Sequence, residues 1–262
     1  MVDLPLGLLL FTLGLIGGFF SGLLGIGGGI VMVPLLLYLP PLFRLAPMDM
    51  KTVAGLTMAQ GFCASLSGFF VHRRHHHVCP RLVLTVGSAA LMGSFTGAVF
   101  SGYASSQLLL AVFAVLAVTA AGLMVFPIDE QEEVGADTFS FSFFPAFSIP
   151  LGLGFFLGLV GQGGAFILIP MMLHILKVPT RLALGSSLGI VLLSASAGLL
   201  GKAIKGQVLW APALFLVIGA LMGGQWGAYQ SQRTTPVFLR YCLAVIIALT
   251  AVGIAYELLA GG

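Results

Sequence analysis

The chain is written in long apolar runs, broken at intervals by short polar or glycine-rich stretches. Runs of about 20 apolar residues are long enough to cross a bilayer. Barrel strands would alternate polar and apolar positions over about ten residues, whereas these runs are apolar all round. They therefore predict helices, which satisfy their own peptide groups where lipid offers no partner. Breaks at about 25–29, 41–49, 72–80, 101–106, 127–142, 161–164, 177–180, 202–208 and 230–236 separate successive helical segments.

The segments form two sets of five that repeat each other. Residues 18–34, GFFSGLLGIGGGIVMVP, align without a gap on residues 154–170, GFFLGLVGQGGAFILIP, with nine of seventeen positions identical. Residues 90–98, ALMGSFTGA, match residues 220–228, ALMGGQWGA, at six of nine positions. The same spacing pairs Gly55 with Gly185, Gly68 with Gly198 and Val78 with Val208. Self-similarity of this kind marks duplicated structural units. The expected organisation is a first transmembrane repeat over 1–126, an acidic linker over 127–142 and a second transmembrane repeat over 143–262. The linker segment PIDEQEEVGADTFS holds five of the eight acidic residues and no base.

The second segment of each repeat, near 30–40 and 165–176, spans only 11 or 12 residues. That is ~17 Å of helix against a hydrocarbon core of ~30 Å, so both are half-helices. An odd number of passes per repeat inverts the second relative to the first, as in many secondary transporters. If each glycine break lies inside a single pass, the count is four plus four and the repeats run parallel. Inverted repeats are expected. In that arrangement Arg73, Arg74, Arg81, Lys177, Arg181, Arg233 and Arg240 share one side, and Arg44, Lys51, Lys202 and Lys205 the other.

Composition agrees with a membrane solvent. Charged residues are 7% of the 262 and apolar ones 59%, where a soluble domain carries roughly a quarter charged; the mean hydropathy is +1.12. The fold class is an all-α polytopic membrane protein of two homologous, inverted repeats of about five helical segments, the first two in each joined by a Gly-rich break. The N-terminal MVDLPLGLLLFTLGL lacks the basic start and cleavage site of a signal peptide and reads as part of the fold. Cys63, Cys79 and Cys242 are too few and too scattered for a disulfide framework.

Seven glycines sit in residues 17–34 with no charge among them. GIGGG at 25–29 and GQGG at 161–164 occupy equivalent places, each just before a half-helix. Irregular backbone at membrane depth is tolerated where protein buries it or water reaches it. The free N–H groups and dipole of a helix start favour an anion, and paired Gly-interrupted short segments point to a transporter's binding site. Gly27, Gly28, Gly29, Gly163 and Gly164 are thus candidate substrate-binding residues, with Gln162 as an uncharged donor and acceptor where the first repeat has Ile26. Thr57 and Ser187 correspond across the repeat; with Gln60 and Ser186 they would complete the site. The pairs Gly93/Gly97 and Gly223/Gly227 suit close helix packing, and Gln225 and Trp226 beside them are candidates for a supporting role.

Asp3, Asp49 and Glu257 all stand near segment ends. Intramembrane carboxylates are the usual proton or cation relays, so carboxylate-based coupling has little support. No embedded acid, base or nucleophile constellation suggests an enzyme. HRRHHHVC at 72–79 invites a metal reading, but its repeat equivalent KAIKGQV keeps basic charge without His or Cys, so a basic juxtamembrane loop is expected and no metal. The expected partners are a small anionic substrate and the lipid bilayer, with no nucleic acid and no cofactor.

The doubled GLLGIGGG…VP and GLVGQGGA…IP, the AGLT and GSS segments after them and the ALMGxxxGA blocks resemble the TauE/SafE sulfite exporter family, from about Leu6 to Leu259. The resemblance implies export of sulfur-containing or related organic anions, such as sulfite, thiosulfate or sulfoacetate, across a cell membrane. It places the family's glycine loops on residues 25–29 and 161–164. Gln162 and Ala165 depart from a fully repeated loop, so the two sides of the site are expected to differ. A transporter working by alternating access at a midplane site is the expectation; a channel-like anion pathway or a metal-handling His loop is the alternative.

Overall fold

A computed structural model describes residues 4–74, 78–125, 141–163 and 165–260. His75, His76, His77, Gly164 and all of the acidic linker but residues 141 and 142 lie outside the described residues. Among the described residues the helices are α1 (Leu4–Leu24), α2 (Gly29–Leu42), α3 (Met50–Arg74), α4 (Pro80–Phe100), α5 (Ser106–Val125), α6 (Phe143–Val160), α7 (Ala165–His174), α8 (Thr180–Ile204), α9 (Trp210–Gln232) and α10 (Pro236–Ala260). Each expected break falls between two of them. Prolines punctuate the chain where a helix can begin: Pro80 opens α4 and Pro179 caps α8, since a first-turn residue has no intrahelical N–H bond to lose.

Seven of these helices, α1, α3, α4, α5, α6, α8 and α9, are long and apolar enough to cross a membrane. The two half-helices are confirmed as short, α2 with 14 residues and α7 with 10, about 21 and 15 Å. The α2 helix outruns its expected end because it continues through Pro40 and Pro41, closing where Phe43 N–H donates to Leu39 O at 3.1 Å.

Packing pairs helices across the halves. The α1 helix lies on α9, and its counterpart α6 lies on α4; α9 lies on α3, as α4 lies on α8; α10 touches α2, as α5 touches α7. Small residues make the two outer seams. Gly14, Gly18 and Gly22 of α1 meet Leu216, Ala220 and Gly224 of α9, in a parallel register. Gly154 and Gly158 of α6 meet Ala90 and Ser94 of α4 in the same sense. Lipid tails are as apolar as these side chains, so close backbone approach and dispersion hold such seams together. Gly93, Gly97, Gly223 and Gly227 all face these seams; they pack helices.

At the centre, the corresponding helices α3 and α8 cross antiparallel. Met58 meets Gly198 while Gly68 meets Leu188. These two are the most enclosed, with 72% and 78% of their apolar windows buried, against 33% for α5. Their inner faces carry polar side chains, and both glycine loops abut them.

Candidate functional site

The first loop leaves α1 at Leu24 and turns through Gly25, Gly27 and Gly28, each with φ near +70°. Gly28 caps α2 at φ 72°, a left-handed conformation that costs a residue with a Cβ roughly 1–2 kcal/mol. The first bond of α2 runs from Met32 N–H to Gly28 O at 3.1 Å. The N–H groups of Gly29, Ile30 and Val31 stand ahead of it as the helix's open donors. The second loop caps α6 with Gly161 at φ 83°, and the N–H groups of Gly161 and Gln162 both turn back to Leu157 O, at 2.9 and 3.0 Å.

The structure brings the two loops together. A Cβ on Gly27 would lie 2.9 Å from Val191 Cγ1, and one on Gly163 would lie 3.1 Å from the same methyl, halfway along α8. The repeat equivalent of Val191 is Gly61 on α3, and a Cβ there would lie 3.1 Å from Gly27 O. Gly29 adjoins Gln162, whose Nε2 donates to Gly29 O at 3.1 Å.

Hydroxyls latch each loop from the opposite half. Thr57 donates to Gly161 O at 2.7 Å, and Ser187 donates to Gly25 O at 2.7 Å. Each hydroxyl also reaches a carbonyl of its own helix, Val53 O or Leu184 O. Thr57 and Ser187 thus hold the loop backbones. Ser186 faces elsewhere, accepting from Cys79 N–H at 3.0 Å. Ser194, which the repeat did not single out because its equivalent is Ala64, donates to Gly163 O at 2.5 Å. Gln225 and Trp226 are exposed on the outer side of α9, with Trp226 against Phe19 at 5.0 Å between ring centroids. They support no part of the loops.

The two glutamines remain. Gln60 is fully buried, against Gly17 and Gly28, and neither its Nε2 nor its Oε1 has a partner. Gln162 is fully buried, and its Oε1 has none. Since Gly28 and Gly29 are neighbours, both amides flank the start of α2. A buried polar atom left unpaired costs about 1–3 kcal/mol, and such atoms are few in folded proteins, so three of them beside one helix start set this place apart from the rest of the interior. The surrounding side chains are uncharged and would bind through dipoles.

His72 is buried, its Nε2 3.3 Å from Gly22 O and its Nδ1 3.1 Å from Gln232 Nε2. The rest of the histidine run, His75 to His77, falls outside the described residues.

The sequence model described as Sulfite exporter TauE/SafE matches residues 10–254. The chain is 27% identical to the probable membrane transporter protein YunE of Bacillus subtilis, over 95% of this chain and 97% of that one. It is 29% identical to YdhB of the same organism, over 93% and 94%. A probable membrane transporter protein of Methanocaldococcus jannaschii is 26% identical over 91% of both chains. No solved structure matches it.

Proposed function

The chain belongs to the TauE/SafE sulfite exporter family of membrane transporters, and on that premise we propose that it exports a small sulfur-containing or organic anion by alternating access between two inverted repeats. The observation that carries this is the orphaned amide pair, Gln60 and Gln162, on either side of the open N–H groups of α2. An oxyanion accepts hydrogen bonds from a helix start and is favoured by its dipole. Gln60 Nε2 adds a donor. The amide oxygens suit an anion that still carries a proton, such as hydrogensulfite, or one with a hydroxyl.

The substrate-binding set is Gly27, Gly28, Gly29, Gln60, Gln162, Gly163 and Gly164. Thr57 and Ser187 hold the loops in place, while Ser186 is engaged by Cys79 N–H. Inversion is supported by the antiparallel crossing of the corresponding helices α3 and α8, and the two-fold relation of the halves by helix pairings that exchange when the halves are exchanged. A site lined by dipoles leaves the anion's charge exposed to the membrane potential, which drives it out of an inside-negative cell by ~2.3 kcal/mol per charge per 100 mV.

The test is efflux from proteoliposomes under a set potential, with sulfite, thiosulfate, sulfate, sulfoacetate and acetate. Saturable flux of one of these anions, lost in Gln60→Leu and Gln162→Leu, is expected. Equal flux in the folded variants would overturn the site, and flux proportional to concentration throughout would make the protein a channel.

A further inference from the structure

Lys202 lies in the last turn of α8 and is fully buried. Its ammonium donates to Ser101 Oγ at 2.7 Å and to Leu159 O at 2.9 Å, both neutral acceptors. An ammonium has three N–H donors, and the third has no partner among the described residues. Buried charges are ordinarily paired with an opposite charge, and an ionisable group at membrane depth is a functional candidate.

No described carboxylate compensates it. The one acidic side chain described, Asp49, accepts from Thr52 N–H at 3.1 Å at the start of α3. The surroundings are instead basic. Lys51 is close enough to repel Lys202, and its own Nζ donates to Gly102 O at 3.3 Å. Lys205 donates to Tyr103 Oη at 3.0 Å and lies 4.4 Å from the ring centroid, lowering the exposed phenol below its ordinary range. Ser101 Oγ also reaches Gln207 Oε1 at 3.0 Å, and Gln207 is nearly buried.

We propose that Lys202, Ser101 and Gln207 form a second anion site, separate from the glycine loops, in which a small inorganic anion supplies the negative charge that the buried ammonium lacks. Its place in the fold suits a stopping point for the transported species on one side of the glycine loops, because Leu159 stands two residues before Gly161. The internal repeat supports it independently. The positions of Lys202, Ser101 and Lys51 are held in the other half by His72, Ser231 and Arg181. There His72 and Arg181 line one crevice, with Leu184, Ser231, Gln232 and Leu239. Each end thus keeps a basic group in the last turn of a central helix and a serine facing it; one end has an amine, the other an imidazole.

The site stands on its own geometry and does not need the loops to bind anything. The experiment is equilibrium binding of radiolabelled thiosulfate to the full chain in lipid nanodiscs, in chloride-free gluconate buffer. Two classes of site are expected. Lys202→Gln should weaken one by at least about tenfold, Lys202→Arg should keep it, and Gln60→Leu should remove only the other. Displacement from the Lys202 class by added chloride would identify a resident halide and still support an anion site. Wild-type binding in folded Lys202→Gln would overturn it. Should that variant fail to fold, Ser101→Ala and Gln207→Leu keep the ammonium. Weakened binding in either supports the site, and wild-type binding in both overturns it.

Discussion

At position 60 a side chain with both a donor and an acceptor is fully buried with neither end bonded. Such an arrangement opposes folding, so its replacement separates stability from function. Gln60→Leu keeps the approximate volume and removes two orphan atoms. It is expected to raise the free energy of unfolding by about 1–3 kcal/mol while cutting anion flux at least tenfold, read by thermal unfolding in one detergent and by efflux from liposomes. A destabilised variant would mean that the amide is bonded after all, through water that holds the loop. The latches behave oppositely. Ser187→Ala loses the bond to Gly25 O and should cost about 0.6–1.7 kcal/mol, the range of interhelical bonds in membranes, with flux reduced but saturable. The orientation of Ser186 was not legible in the sequence. Adjacent helical residues point about 100° apart, so Ser187 meets the loop and Ser186 meets Cys79 N–H, a difference that composition and repeat do not encode.

At the scale of elements most of the fold was legible, because a helix in lipid must be long, apolar and closed on itself, and each departure from that shows in the letters. Glycine loops, prolines and the short second segments marked their own places. What stayed hidden was which helix lies on which, since α1 packs on α9, some 200 positions onward in the chain. The only written trace was small residues at four-residue spacing on both partners. These seams are testable against a glycine that faces nothing. A Cβ on Gly18 would fall 2.7 Å from Ala220 Cα, whereas one on Gly152 meets nothing within 4 Å. Gly18→Leu should cost about 3 kcal/mol or more and broaden the gel-filtration profile. Gly152→Leu should be neutral or stabilising by about 0.5–1 kcal/mol, from helix propensity alone. Equal losses would mean that the seam is not the tight contact between α1 and α9.

For the whole molecule the decisive relation is how the two halves face the membrane. The sequence alone allowed both five-plus-five and four-plus-four readings; the antiparallel α3 and α8 favour the first. Tyr103 and Arg233 occupy the same position in the two repeats, and both are exposed beyond helix ends. Inverted halves place them on opposite faces of the membrane, and parallel halves place them on one. With Cys63, Cys79 and Cys242 replaced by serine, Tyr103→Cys and Arg233→Cys can be labelled separately in intact cells with a maleimide that does not cross membranes. The structure groups Lys51, Lys202 and Lys205 at the Tyr103 end and Arg181 with Thr234 at the other; with inverted repeats the sequence puts seven basic residues on the Arg233 side and four on the Tyr103 side. Positive charge accumulates on the cytoplasmic side. Tyr103→Cys should therefore react from outside, and Arg233→Cys only after the membrane is opened. Reaction of both from one side would make the repeats parallel and remove the symmetry on which alternating access between them depends. Reaction in the opposite order would keep the inversion and turn the chain over. The Lys202 site would then open to the cytoplasm and receive the anion before the glycine loops rather than after them.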